Sequence, residues 1–115
     1  MLAACLGACL STIGPQIEGA QGVDPGPFPD AYEEIVRSWI QQTFRTYAQV
    51  DGVRVPRPKP GFEKPPLLSL RSTRYGWWTR VTFRATDRIG APTGTLAYAV
   101  LIRDDAVVAH QKLVF

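Results

Sequence analysis

Residues that carry chemistry are scarce in this chain, which has two cysteines, one methionine and a single histidine. Both cysteines, Cys5 and Cys9, lie in the first nine residues, so no disulfide framework can staple anything downstream. A Cys5–Cys9 bridge would close too short a loop, beside a chain terminus, to stabilise much. A metal site would need further ligands close by, and the lone His110 is more than a hundred residues away. No Gly-x-Ser-x-Gly elbow, His-Glu-x-x-His, Cys-x-x-Cys or phosphate-cradling glycine loop occurs. No apolar run approaches the roughly 18 residues of a membrane-spanning helix. These absences leave no catalytic residue, no metal site and no cofactor to name, and the chain reads as non-enzymatic.

What is present begins at the amino end. Leu2-Ala3-Ala4-Cys5 is followed directly by Leu6-Gly7-Ala8-Cys9. Each copy has the Leu-small-small-Cys order of a bacterial lipobox, in which the cysteine is lipid-modified and the preceding peptide removed. Lipidation is expected at Cys5 or Cys9, with Cys5 favoured because Ala3 suits the second position before the cysteine better than Gly7. No basic residue precedes Cys5, so the basic and apolar parts of an export signal are expected upstream of Met1. Leu6 and Leu10 follow the two cysteines. The absence of aspartate there resembles outer-membrane sorting, on the periplasmic side of the envelope.

The remainder divides by composition. Residues 1–9 read as the lipobox-containing remnant of a leader. Residues 10–28 carry repeated Gly and Pro with no sustained period and read as a flexible tether. Residues 29–115 read as one small domain, near the lower end of what a single core can hold without staples. The chain carries 13 basic and 10 acidic residues. Glu18 and Asp24 are the only charges before Phe28, so the domain itself has thirteen basic side chains against eight acidic ones. That excess favours anionic surfaces without choosing among them.

Within the domain, Tyr32, Ile35, Val36, Trp39, Ile40, Thr43, Phe44 and Tyr47 recur at helical spacing. Asp30 before this stripe and Glu33 three residues later suggest a capping-box-like start. Beyond Tyr47 the period falls to two. Residues 49–55 read as a short strand kinked at Asp51-Gly52. Residues 56–66 contain five prolines and read as a loop, since proline cannot donate to a ladder. Residues 67–73 read as a strand, followed by a turn at Arg74-Tyr75-Gly76. Residues 77–86 alternate, with Trp77, Thr79, Val81, Phe83 and Ala85 expected beneath the helix and Trp78, Arg80, Thr82 and Arg84 toward solvent. Residues 95–103 place Leu96, Tyr98, Val100 and Ile102 on one side. Asp104-Asp105 makes a tight turn into a last strand over residues 106–115. The expected fold class is α+β, one N-terminal amphipathic helix packed on a four- to five-stranded antiparallel meander, a cystatin-like layout.

One patch stands out as an interaction face: Trp78, Arg80 and Arg84 share a strand face, with Arg71 and Arg74 nearby. Aromatics among arginines can stack bases and hold phosphates, grip lipid phosphates or an acidic protein, or simply form a solvated face whose Arg stems shield a Trp. His110 sits in an alternating strand where an exposed polar side chain is expected. Asp104-Asp105 and Glu33-Glu34 read as a turn and a helix start.

Taken together these pieces resemble a group of small alphaproteobacterial lipoproteins of unknown function. The matching residues are Leu2-Ala3-Ala4-Cys5; Pro29 and Tyr32, with Val36 in the Ile place; Ala85, Asp87, Gly90 and Gly94; and Val100, Ile102 and Asp104. The chain departs from the pattern at Arg84, where Asn is usual, at Asp105, where Gly is usual, and in lacking a strand cysteine. The resemblance implies no catalytic residues. The expected function is a lipid-anchored envelope domain acting as an interaction or accessory subunit of a membrane-associated complex, its partners the membrane and an envelope protein. The alternative is a cytoplasmic basic module for nucleic acid or an acidic protein.

Overall fold

A computed structural model describes residues 16–19, 22, 24–65 and 72–113. Cys5, Cys9, Arg71 and most of the strand expected over 67–73 lie outside them. The amphipathic stripe forms α1 (Tyr32–Thr43), which buries Val36 and Ile40. Asp30 does not cap it. The N-cap position is Ala31, with no side-chain cap, because the Pro29 carbonyl takes the Tyr32 N–H at 3.0 Å and the Ala31 carbonyl takes that of Ile35 at 3.0 Å. A backbone turn therefore does what the aspartate was expected to do. The helix also stops earlier than its apolar period. Phe44 and Tyr47 lie in the turns beyond Thr43, yet Phe44 still meets Phe83 at 5.0 Å and Tyr98 at 5.4 Å between ring centroids.

The sheet has six strands, all paired antiparallel: β1 (Gln16–Gly19), β2 (Gln49–Arg54), β3 (Lys59–Lys64), β4 (Arg74–Thr86), β5 (Pro92–Arg103) and β6 (Ala106–Leu113). One helix on an antiparallel sheet is the expected α+β layout. Its order is β1-β3-β4-β5-β6, with β2 also on β4. The long β4 is its spine. β5 runs along one edge, while β3 pairs with the Arg74–Trp78 half of the other and β2 with the Thr82–Thr86 half. The hairpin into β6 turns on Asp104 (φ 53) and Asp105 (φ 61), the paired positive φ angles of a two-residue hairpin turn, which aspartate tolerates better than most residues.

Three expectations change here. Residues 59–64 form a strand despite Pro60. β1 covers only Gly61 to Lys64, so Pro60 has a neighbour on one side alone, Trp77. An antiparallel ladder takes donors from alternate residues, which lets a proline sit at such an edge. Arg74, Tyr75 and Gly76 are the start of β4 rather than a turn, because β3 extends the ladder to Glu63–Arg74. Finally, the composition-based tether contains β1, and residues after it dock as well. The Gly26 carbonyl accepts from Trp77 Nε1 at 3.1 Å, and the Asp24 carbonyl from Arg103 at 3.0 Å.

Alternation in β4 sorts the core. Val81, Phe83, Val100 and Ile102 join Val36, Ile40 and Phe44 in one buried cluster under the helix. A second, smaller cluster of Ile17, Ala99, Leu101 and Ala109, with Trp78 packed against it, occupies the opposite face. β1 curls over that face, and the Ile17 N–H donates to Gln111 Oε1 on β6 at 3.0 Å. The sheet is thus partly closed on itself at one end and open at the other.

Candidate functional site

Directly opposite residues of a ladder share a face, so the register locates each candidate side chain. On the face away from the helix, β4 presents Arg74, Trp78, Arg80, Thr82 and Arg84, joined by Glu63 opposite Arg74, Lys59 opposite Trp78, Arg54 opposite Thr82 and Asp51 opposite Arg84. Of the set expected from sequence, Arg74, Trp78, Arg80 and Arg84 share this face, while Arg71 lies outside the described residues, and the four divide into two environments.

The first is closed. Glu63, only 1% exposed, accepts from Arg74 at 2.9 Å through both Nε and a terminal nitrogen. A buried carboxylate needs such a donor, because an ionised group without one is expensive to bury. Arg74 is therefore committed to the fold. Trp78 is committed too, contrary to the expectation that it meets solvent. Its indole lies against Gly19 and Gly61, which face each other across β1 and β3. A Cβ on Gly19 would stand 2.7 Å from Trp78 Nε1, and one on Gly61 would strike Trp78 Cδ1 and the Glu18 carbonyl oxygen. Trp78 Nε1 is buried without a hydrogen-bond partner among the described residues.

The second environment is open. Arg54, Lys59, Arg80 and Arg84 are exposed, and successive residues of one face follow one another at about 7 Å along a strand. Asp51 meets Arg84 at 3.5 Å with both side chains more than half exposed, so the pair contributes little and is screened by salt. Gly52, at φ 65 in the β2 bulge, leaves room for the Arg84 guanidinium, whose nearest atoms would lie 3.4 Å from an added Cβ. Arg54, Thr82, Arg84 and Thr95 border a shallow recess of about 410 Å³. Arg57, in the link between β2 and β3, places its guanidinium 4.4 Å from the centre of the Phe28 ring.

Arg54 and Lys59 were missed from sequence. Their alternation in Arg54-Val55-Pro56-Arg57-Pro58-Lys59 is visible, but only the shared edge of β4 sets them beside Arg80. Arg88 is drawn away, donating to the Thr46 carbonyl at 3.0 Å. His110 lies on the helix-facing side of β6, exposed, 5.2 Å from the Trp39 ring. Among the described residues no group of His, Cys, Asp and Glu could hold a metal ion, and no helix is long and apolar enough to cross a membrane. A larger depression of about 510 Å³ between α1 and β6 is lined by Glu34 and Asp105 and so has the opposite sign. Comparison with protein-family models, curated proteins and solved structures finds no match.

Proposed function

We propose that this chain is a non-enzymatic, lipid-anchored domain of the cell envelope that docks an acidic partner protein, as an accessory subunit of a membrane-associated complex, through the strip Arg54, Lys59, Arg80 and Arg84. The observation that carries the reading is the strip itself: exposed cations from three strands gathered on one sheet face, where Asp51 meets Arg84 only at 3.5 Å. Arginines held on a rigid sheet are well suited to bidentate carboxylate recognition. A charge array of this kind also speeds encounter with an acidic surface.

The anchor reading rests on the tandem Leu-Ala-Ala-Cys and Leu-Gly-Ala-Cys segments and on the resemblance to small envelope lipoproteins. With β1 starting at Gln16, a lipid on Cys9 would hold the domain within about 25 Å of the bilayer surface, and one on Cys5 within about 40 Å. Nucleic acid is the weaker alternative, because the stacking surface it needs was to be Trp78, whose indole is packed against Gly19 and Gly61.

Two measurements test the proposal. Metabolic labelling with an alkyne fatty acid should mark the protein and lose the mark when Cys5→Ser and Cys9→Ser are combined; no label on the parent chain removes the anchor. Arg80→Glu with Arg84→Glu should weaken cross-linking to envelope proteins at least tenfold at low salt while leaving the thermal midpoint unchanged. Undiminished cross-linking rejects the strip as the contact.

A further inference from the structure

β2 departs from a regular strand at one place, and the departure shapes the open end of the face away from the helix. Its register against β4 slips between Asp51 and Arg54, so that Gly52 and Val53 together stand opposite Phe83. Gly52 supplies the φ of 65 that this bulge needs. The bulge keeps Val50 and Val53 both packed against the helix-side cluster. By the same count it turns Asp51 and Arg54 both outward, where unbroken alternation would send them to opposite faces.

Arg54 therefore stands opposite Thr82 and diagonal to Arg84, about 7–8 Å away, a spacing that long side chains span. Thr95 stands opposite Arg84 on the other flank. With Gly52 these four residues border the recess of about 410 Å³. Two guanidinium groups and two hydroxyls around one depression make a donor set for an oxyanion, and the paired N–H groups of arginine match the two oxygens of a carboxylate.

One carboxylate already stands at Arg84. Asp51 Oδ1 meets Arg84 Nε at 3.5 Å, with both side chains more than half exposed. A close charge-assisted hydrogen bond would measure about 2.7–2.9 Å, so Asp51 holds this arginine loosely. The guanidinium lies over Gly52, its Nε and one terminal nitrogen 3.4 Å from where a Cβ would stand. Asp51 thus shows which chemistry Arg84 accepts at this position. It also offsets one of the two arginine charges, which suits a singly charged carboxylate better than a dianion.

On the premise that the strip docks an acidic partner, we infer that the recess receives one aspartate or glutamate side chain of that partner, bridged between Arg54 and Arg84, and that Asp51 is the intramolecular competitor it displaces. Displacement costs little, because an exposed pair of this length is weak. The incoming carboxylate gains Arg54 in addition to Arg84.

Fluorescence anisotropy of labelled octaglutamate, titrated with the full-length chain at low salt, tests both parts. Asp51→Asn should tighten binding about two- to fivefold. Arg54→Gln should weaken it at least as much, each variant keeping the parent's thermal midpoint. The gain from Asp51→Asn should vanish when Arg84→Gln is also present, since competition needs the shared arginine. A gain that persists there reports a general field and overturns the competitor. Glu34→Gln, on the helix, changes net charge by the same amount, and an equal gain from it overturns the competitor too. Should Arg80→Gln weaken binding while Arg54→Gln does not, the cationic strip stands and the recess is rejected. Octaglutamate that binds neither the parent nor Asp51→Asn rejects the recess and the docking strip together. Displacement of the peptide by inorganic phosphate, with acetate at matched ionic strength inert, overturns the assignment to a carboxylate.

Discussion

The two faces of one sheet are built on different principles, although the same strand β4 serves both. Toward the helix, Val81 and Phe83 meet Val36, Ile40, Phe44, Val100 and Ile102, large side chains that fill space from both layers. On the other face the partners are alanines, a leucine and one isoleucine, and a tryptophan lies flat on two glycines. The first face buries area by interdigitation. The second does it by bringing backbone close to an aromatic ring, which works only where no Cβ intervenes. One end of β4 then leaves that second face bare, and its cations remain exposed. The difference teaches that stability and accessibility are separated along the length of β4 as well as across it.

The largest effect should come from the helix-covered face. Phe83→Ala is expected to cost about 3–5 kcal/mol, read as a lower urea midpoint with little change in slope. A loss below about 1 kcal/mol would mean that the helix does not organise the core. Next, Gly61→Ala drives a methyl into Trp78 Cδ1 and the Glu18 carbonyl oxygen and should cost about 1–3 kcal/mol. Amide exchange should accelerate at residues 17–19 and stay slow at Val81 and Phe83. If both regions loosen together, the two clusters are one cooperative unit and the contrast fails.

Trp78→Phe sharpens the comparison further. It removes a buried donor that has no partner among the described residues, so its stability should remain within about 1.5 kcal/mol of the parent, far less than the cost of Phe83→Ala. The smallest effect is confined to alkaline solution. Burial, and secondarily the nearby Tyr47, push the Tyr98 phenol above its ordinary value of 10.0. The folded state then holds the proton more tightly than the unfolded chain, so this contribution is complete below about pH 10 and declines as pH rises through the folded value. Tyr98→Phe should flatten that alkaline decline in thermal midpoint; an unchanged slope assigns the decline to other groups.

How much was legible follows from the range of the forces involved. The helix stripe from Tyr32 to Phe44 and the alternation of residues 77–86 announce themselves, since each rests on a period a few residues long. The Asp104-Asp105 turn is legible for the same reason. Arg80 and Arg84 could be placed on the outer face by counting twos. The strand at 59–64 could not, because Pro60 argues against a ladder unless the extent of β1 is known. Trp78 was misplaced for a related reason: period two gives its face, but only β1, some sixty residues earlier, decides whether that face is covered.

The sequence by itself determined the class of fold, the face that the helix covers and the excess of positive charge, all set by local spacing and composition. Tertiary structure alone decided that β2 and β3 share an edge of β4, that Arg54 and Lys59 join Arg80 and Arg84, and that Arg74 and Trp78 are withdrawn into Glu63 and the glycines. Strand pairing joins residues far apart in the chain, and the backbone hydrogen bonds that fix register are common to every residue type. Side-chain pattern can therefore say which way a residue points without saying what it meets.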